Sequence, residues 1–462
     1  MTVDRSVRNG GISRWYTEIG VPDYRAPMPG DVTADVAIVG AGFTGLWTAY
    51  YLLRHAPHLR VVLVEREFAG FGASGRNGGW LSSELAGTRS RYAAASGKDG
   101  VVRLLRQMRE AVDEVIAVAA TEGIDADIVK DGLLHVARNA AQEQRLVEAL
   151  EHERQWGAAD DDYVRLSRDE LDARVRVAGA RGALFTPHCA RVQPAKLVRG
   201  LAEVVERAGA TIYERTTASE IAPGVVTTDR GRVRAPVVLR CLEGFTASIR
   251  GERRNWLPMN SSIVVTEPLD EAVHREIGWA GAELLGDYAH AYMYAQRTAD
   301  DRIALGGRGI PYRYGSRTDD GGVTQEWTID ALTGVLHDMF PALRSTPVAQ
   351  AWCGVLGVPR DWCATVDLDR ATGLGTAGGY VGSGLTTTNL AGRTLADLVL
   401  ERDTDLTHLP WVGRRIRKWE PEPLRWLGVR AMYALYREAD RRERTRPTTS
   451  GLARLGNRLT GR

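Results

Sequence analysis

The sequence predicts an α/β protein in which a Rossmann-like nucleotide-binding domain is interleaved with an α+β substrate domain on a mixed β-sheet. Three observations carry that expectation. The apolar run Asp35-Val-Ala-Ile-Val39 has buried-strand length and leads directly into Gly40-Ala-Gly-Phe-Thr-Gly45. Residues 46–54 then carry a helical pattern, and Arg60-Val-Val-Leu-Val-Glu65 is a second apolar run ending in an acid, which completes a β-turn-α-β unit of about 30 residues. Farther on, β-like stretches lie on both sides of the 190–250 block, the pattern of two domains that exchange the chain several times.

In chain order, 1–32 is punctuated by Gly and Pro and reads as an arm anchored by Trp15 and Tyr16. Residues 100–122 and 141–157 have helical periodicity, and β-like stretches occur at 132–138, 183–187, 261–267, 291–297 and 302–307. A helix over 194–208 precedes the strand Thr211-Ile-Tyr-Glu214. Val237-Val-Leu-Arg-Cys241 is a further buried strand, and Gly379-Tyr-Val-Gly-Ser-Gly384 opens a helix over 385–401. The implied division is an arm (1–32), a nucleotide-binding domain (33–85, 190–250 and 350–405), a substrate domain (86–189 and 251–349) and a basic helical tail (406–462).

Composition narrows the function. Of 462 residues, 44% are hydrophobic and 26% charged, which excludes collagen-like, low-complexity and wholly disordered chains. Sixty basic and 58 acidic side chains leave a net charge of +2, too balanced for a chain whose main partner is nucleic acid. The segment 411–462 alone carries 14 basic and 5 acidic residues, so either a solvated helix packed on its own domain or a surface for a membrane is expected there. An apolar stripe of Leu424, Leu427, Ala431, Leu435 and Tyr436 fits either reading. Cys189, Cys241, Cys353 and Cys363 are scattered, away from metal-ligand spacing, so no metal is expected. With no apolar leader and no run of 18 apolar residues, a cytoplasmic location is expected.

The glycines are informative through their context. Gly40 makes the tight turn out of the strand, Gly42 lets backbone approach a pyrophosphate, and Gly45 lets helix and strand pack closely. The phosphate sits on free N–H groups at the positive end of the helix dipole. Glu65, 25 residues after Gly40, can accept both hydrogen bonds of a ribose diol and repels a 2′-phosphate, which argues against NADP. Spacing alone does not separate FAD from NAD. Gly70-Phe-Gly-Ala-Ser-Gly-Arg-Asn-Gly-Gly-Trp80, with five glycines in eleven residues, is a loop that can wrap an extended anionic cofactor with backbone donors.

Gly40-Ala-Gly-Phe-Thr-Gly45, Glu65-Arg66 and Ala73-Ser-Gly-Arg-Asn-Gly-Gly79 together resemble the D-amino-acid-oxidase-type family of FAD-dependent oxidoreductases, whose FAD domain is of the glutathione-reductase type. The likeness continues at Glu243-Gly-Phe-Thr-Ala247, Gly306-Gly-Arg-Gly309, Trp352-Cys-Gly354 and Gly382-Ser-Gly-Leu-Thr386, and 73–79 is most like the gamma-glutamylputrescine oxidoreductase branch. The resemblance implies FAD contacts from Gly40, Gly42, Phe43, Thr44 and Gly45, with Glu65 on the adenosine ribose and Arg66 beside it. Ala73, Ser74, Arg76, Asn77, Gly78 and Gly79 would line pyrophosphate and flavin, Ala218 would pair its backbone with adenine, and Gly244 and Gly354 would adjoin the cofactor. Gly382, Ser383, Gly384, Leu385, Thr386 and Thr387 would form a second helix N-terminus, aimed at the flavin pyrimidine, where the reduced ring carries negative charge. The FAD would be non-covalent, because Asn77 stands where family members with histidyl-linked flavin carry the linking His.

The activity implied is oxidation of a small-molecule amine: hydride leaves the carbon beside nitrogen for flavin, the imine hydrolyses, and dioxygen, giving hydrogen peroxide, or another electron acceptor takes the electrons. In glycine-oxidase-like relatives an Arg four residues after the motif Trp holds the α-carboxylate; here Trp352 is followed at that spacing by Leu356. This implies a primary or secondary amine with a remote acidic group, against the alternatives of a D-amino-acid, glycine or sarcosine-type oxidase. Arg302-Ile-Ala-Leu305 lacks the lysine that sarcosine oxidases use to activate oxygen, which keeps a dehydrogenase with a quinone or carrier acceptor open. His188 is a candidate for keeping the amine deprotonated, or a structural histidine. Arg308 and Arg360 are candidates for holding a substrate anion, or domain-edge ion pairs. Tyr292 and Tyr294 share a strand face, as an aromatic wall or as core.

Overall fold

The computed structural model describes residues 7–307, 312–318, 321–443, 450, 451, 453 and 456. Its nucleotide-binding part is a six-stranded sheet in the order Thr211–Tyr213, Val61–Val64, Val36–Val39, Val237–Arg240, Leu374–Gly378 and Thr365–Asp369. The first five strands are parallel and the last is antiparallel to its neighbour. Val36–Val39 and Val61–Val64 are continuous apolar runs because both faces of the sheet are covered. The period of two sorts their side chains. Val36, Ile38, Val61 and Leu63 join the core formed with helices Phe43–His55, Pro194–Arg207 and Gly384–Val399. Ala37, Val39, Val62 and Val64 pack with Val226 and Val233 of a four-stranded sheet. That sheet has the order Ala218–Ala222, Val225–Thr228, Gly231–Arg234 and Val32–Thr33.

The substrate part is a nine-stranded mixed sheet. Its order is Arg8–Asn9, Val348–Val358, Leu257–Thr266, Ile303–Gly307, Tyr294–Arg297, Leu284–Asp287, Leu133–Ala137, Gly182–Thr186 and Val164–Leu166. A short antiparallel pair, Trp80–Ser82 with Cys189–Arg191, lies at the crossing between the two parts.

Three segments fall differently from the divisions expected above. The 350–405 block is shared between sheets: Val348–Val358 pairs along its length with Leu257–Thr266 in the nine-stranded sheet, while Thr365–Asp369, Leu374–Gly378 and Gly384–Val399 belong to the nucleotide layer. The helix Arg89–Thr121, bent at Gly97, sends Tyr92, Val101, Leu104, Met108 and Val112 into the core of the nucleotide-domain helices. The arm is built into the nine-stranded and the four-stranded sheets: Arg8–Asn9 pairs with Gln350 and Ala351, and Val32–Thr33 pairs with Val233 and Arg234. Trp15 and Tyr16, on the helix Arg14–Ile19, are buried.

The basic tail forms the helix Leu424–Glu443. Its expected stripe is split, because Leu424 and Leu427 are exposed while Trp426, Val429 and Tyr433 pack against Leu257, Met259 and Val358. No described helix is long and apolar enough to cross a membrane.

One buried carboxylate fastens the arm to the nucleotide sheet. Glu214, with a fully buried side chain, accepts from the Arg25 backbone N–H at 2.6 Å, from Arg25 Nη1 at 2.9 Å and from the Ala69 N–H at 2.8 Å. Glu214→Ala leaves the buried backbone donors without their acceptor and Arg25 with Glu206 as its remaining carboxylate partner, so it is expected to cost about 2 kcal/mol, read as a lower urea midpoint of unfolding.

Candidate functional site

One cavity runs from the carboxyl ends of the nucleotide-sheet strands to the face of the nine-stranded sheet. At its inner end the glycine turn leaves no room for side chains. Gly40 has φ +103°, and a Cβ there would lie 2.6 Å from the Cys241 carbonyl oxygen. A Cβ on Gly45 would lie 2.1 Å from the Gly40 oxygen, so only glycine lets the helix start this close to the strand. Gly42 caps the helix Phe43–His55 without a side-chain bond, and the first turn holds no acid. The Ser74 hydroxyl accepts the Phe43 N–H at 2.9 Å, which draws the 73–79 loop over this N-terminus.

Glu65 stands at the end of Val61–Val64, its backbone N–H bonded to the Tyr213 carbonyl. Its carboxylate accepts the N–H of Ala41 at 3.0 Å and of Glu67 at 3.1 Å, while burial pushes the carboxyl above its usual range. These two donors fix the side chain at the cavity wall. Arg66 lies over the Phe245 ring at 5.4 Å, and Thr216, Thr217 and Ala218 line the same end.

A second helix N-terminus meets the first. Gly384–Val399 starts at Ser383, again without side-chain cap or first-turn acid. Tyr380 and Thr44 join the two turns through hydroxyls 3.1 Å apart. The approach to the second helix needs left-handed backbone at Gly379 (φ +79°), Val381 (φ +52°) and Gly382 (φ +110°). Glu243 holds it there by accepting the N–H of Tyr380 at 2.9 Å and of Gly379 at 3.3 Å; burial pushes its carboxyl up to about 7. Two helix N-termini with no acid in their first turns, tied together by the Tyr380–Thr44 pair and lining one glycine-rich cavity, have the chemistry of a dinucleotide cradle with an anion-stabilising end.

The outer end is aromatic. Trp80, Tyr292 and Tyr294 line it with Ser261, Glu84, Val355 and Leu356. Tyr294 fits where Gly78 and Gly306 lack a Cβ, and its hydroxyl meets that of Ser261 at 2.9 Å. Its ring contacts Trp80 edge-on at 5.9 Å, and Trp80 Nε1 donates to the Ala295 carbonyl at 3.2 Å. The aromatic-wall reading of Tyr292 and Tyr294 therefore fits the geometry. On Val348–Val358, Gly354 and Leu356 share the cavity face, two residues apart.

Of the residues expected to touch cofactor, Gly40, Gly42, Phe43, Thr44, Glu65, Arg66, Ala73, Ser74, Arg76, Asn77, Gly78, Ala218, Gly354 and Gly382 to Leu385 all line this cavity. Others act behind it. Gly45 packs helix on strand; Gly244 lies against Val355 and Leu356; Gly79 lies against Val192 and Gln296; Thr386 and Thr387 are buried in the helix. Arg76 is fully buried, with Nε donating to the Phe71 carbonyl at 2.8 Å and its guanidinium over the Phe71 ring at 4.3 Å, so it braces the loop from behind. The Asn77 amide is likewise turned inward, donating to the Ser74 carbonyl at 2.8 Å and accepting the Gly79 N–H at 2.8 Å.

The substrate-side candidates are not brought together. His188 pairs with Asp162 at 2.6 Å, beside the Arg109–Asp162 ion pair, and is not among the cavity-lining residues. Arg360 makes a forked contact with Glu420, both distances 3.1 Å, and lies over Trp419, so its charge is committed to the tail. Arg308 lies outside the described residues. Sequence reasoning did not single out Trp80, Glu84, Ser261 or Tyr380, or the bracing role of Glu243. Of these, Trp80, Tyr380 and Glu243 carried a signal, standing in the glycine-rich loop, in Gly379-Tyr-Val-Gly-Ser-Gly384 and in Glu243-Gly-Phe-Thr-Ala247; Glu84 and Ser261 lie in stretches without motif spacing.

Residues 35–398 match the family model described as FAD dependent oxidoreductase, DAO. The chain is 29% identical over 414 residues to "Probable oxidoreductase OrdL" of Rhizobium meliloti, covering 85% of this chain and 89% of the relative. It is 29% identical over 406 residues to the gamma-glutamylputrescine oxidoreductase of Escherichia coli, covering 83% and 89% respectively. Among solved structures, glycine oxidase from Geobacillus kaustophilus superposes with a TM-score of 0.68 at 21% identity, over 83% of this chain and 99% of that one. L-proline dehydrogenase from P. horikoshii gives 0.67 at 16% identity, over 83% and 98%.

Two outcomes follow from the cradle. Glu65→Ala removes the acceptor for the ribose diol, at a cost of about 2–4 kcal/mol or roughly 30- to 1000-fold in affinity, so the folded variant is expected to purify depleted in FAD, by absorbance after dialysis. Acid precipitation of the wild-type protein is expected to leave a colourless pellet and a yellow supernatant, since an amide at position 77 offers no nucleophile to the flavin methyl.

Proposed function

The chain belongs to the DAO family of FAD-dependent oxidoreductases, and from that premise we propose that it oxidises an amine whose reacting carbon bears no carboxylate. The observation that carries this is Leu356. It lines the outer end of the cavity on the same strand face as Gly354, four residues after Trp352, where an arginine would be needed to pair an α-carboxylate. An isobutyl side chain there leaves such a charge unpaired, at a cost of several kcal/mol. The distal acidic group expected of the substrate loses Arg360, which is forked onto Glu420. The proposed substrate is therefore a primary or secondary amine, with the group at its far end left to the test.

The chemistry that FAD supplies when bound is acceptance of hydride from the carbon beside nitrogen and return of the electron pair to dioxygen as hydrogen peroxide. The imine product takes up water to give a carbonyl compound and ammonia or an amine. The residues of the chain bind and orient. Trp80, Tyr292 and Tyr294 flank an aliphatic chain and exclude water, while Ser261 and Tyr294 offer hydroxyls at the cavity wall. Both helix N-termini stabilise negative charge at the cofactor end. A carrier acceptor in place of dioxygen is the second reading, favoured by the strand Ile303–Gly307, which carries no lysine.

Flavin bleaching under anaerobic conditions, across a panel of aliphatic amines and α-amino acids, tests the proposal, and parallel peroxide and dye-reduction assays identify the acceptor. Amines are expected to bleach the flavin faster than glycine, sarcosine or D-alanine; faster α-amino acids would sink the reading. Leu356→Arg is expected to raise kcat/KM for glycine and sarcosine by roughly tenfold, the scale of one new charge-assisted pair.

A further inference from the structure

We propose that the C-terminal helix is a strap that sets substrate fit: Asp440 and Glu443 position the 288–293 loop and, with it, the Tyr292 wall of the cavity. The inference rests on the reading of the outer cavity as the amine site. The helix Leu424–Glu443 lies beyond residues 35–398, the span matched by the family model.

The contacts converge on one loop. The two carboxylate oxygens of Asp440 accept the backbone N–H groups of His290 and Ala291, each at 2.8 Å. Glu443, whose side chain is 1% exposed, accepts from Arg145 Nη1 at 2.7 Å and pairs with His290 Nε2 at 2.9 Å. Arg145 also donates through Nε to the Tyr288 carbonyl at 2.8 Å, and Tyr436 stacks on His290 with centroids 6.1 Å apart. On the strand side, Asp287 accepts the Met293 N–H at 3.2 Å and the Ala289 N–H at 3.4 Å. Backbone groups at Tyr288, Ala289, His290, Ala291 and Met293 are thus all held by side chains, and the residue enclosed among them is Tyr292.

The ligand atoms of His290, Asp440 and Glu443 lie within 4.8 Å of one another, as they would around a metal. Here the Arg145 guanidinium occupies the Glu443 carboxylate, and both Asp440 oxygens are taken by backbone N–H groups, so the cluster is a staple. The start of the same helix grips a second loop. Glu422 accepts the Gly315 N–H at 3.0 Å and the Tyr312 hydroxyl, and Trp426 meets the Tyr314 ring edge-on at 6.1 Å. Helix residues Trp426, Val429 and Tyr433 share a core with Val381, which lines the cofactor end of the cavity.

The consequence is one of populations. A short loop between two strands, with its backbone groups released to water, samples conformations in which Tyr292 does not close the wall, and apparent affinity falls with the competent fraction. Chemistry at the bound substrate is untouched, so the effect belongs in KM and leaves kcat unchanged.

The test uses the full-length FAD-loaded enzyme and the fastest amine of the anaerobic panel. Asp440→Asn with Glu443→Gln is expected to raise KM roughly five- to thirtyfold, the scale of coupling within one hydrogen-bonded network, with kcat within about twofold and FAD content unchanged. Backbone hydrogen exchange of 288–293 is expected to accelerate while that of 40–45 does not. In a Tyr292→Ala background the same double substitution is expected to change KM little, because the wall it positions is gone. His290→Gln, a milder release, keeps the question open to measurement if the double variant folds poorly. An unchanged KM with faster loop exchange, or an equal KM change with and without Tyr292, overturns the strap and leaves the amine reading standing. No turnover of any amine by the wild-type enzyme overturns both.

Discussion

The governing constraint is that two helix dipoles start at one cavity with no acid in their first turns. An anionic cofactor can use those dipoles only where no carboxylate competes and no Cβ intervenes. Gly42 and Ser383 cap their helices without side-chain bonds, neither first turn contains an acid, and the Tyr380–Thr44 hydroxyl pair ties the two turns together. The constraint spreads outward. Glu243 is buried at the cost of a raised carboxyl pKa, because its two oxygens are what hold the left-handed approach to the second helix. Asn77 bonds within its own loop, and Arg76 ties that loop to itself at the Phe71 carbonyl and to the long strand at the Cys353 carbonyl.

The substrate end is governed by the opposite requirement, a wall of rings and apolar surface. It is assembled from three sources that are distant in the chain: Trp80 after the glycine-rich loop, Tyr292 and Tyr294 before and on one strand, and Leu356 on the long strand Val348–Val358. That long strand couples the two requirements. Trp352 donates to the Arg76 carbonyl at 2.8 Å, which fixes the loop over the cofactor, and Gly354 and Leu356 continue on the same face into the cavity. A side chain at 356 is therefore registered against the 73–79 loop through one strand.

The segments flanking residues 35–398 add contacts to the core of the structure. The arm enters the nine-stranded and the four-stranded sheets and buries Trp15, whose indole donates to the Asn77 carbonyl at 2.8 Å. The tail commits Arg360, through Glu420, and the loop at His290, through Asp440 and Glu443. Of two residues that look like ligand-binding candidates in the sequence, Arg360 is paired with Glu420 and His188 is hydrogen-bonded to Asp162.

The cofactor half was legible in the sequence because a dinucleotide cradle is local: turn glycines, the strand before them and the acid after the next strand lie within one βαβ unit, and their spacing is dictated by the geometry of that unit. Strand and helix positions such as Val36–Val39, Pro194–Arg207 and Gly384–Val399 were legible for the same reason, since periodicity reports which face is buried. Sheet membership was not, because an apolar run carries no label of its partner. Only the pairing of Val348–Val358 with Leu257–Thr266 puts it in the substrate sheet, and only the packing of Arg89–Thr121 puts that helix against the nucleotide layer. At the outer end of the cavity the sequence offered Tyr292, Tyr294 and Leu356, and tertiary structure decided that they line one wall with Trp80 and Ser261. Trp80, Ser261 and Tyr292 meet through long-range pairing, and whether an arginine or histidine is free to act depends on which carboxylate the fold brings beside it.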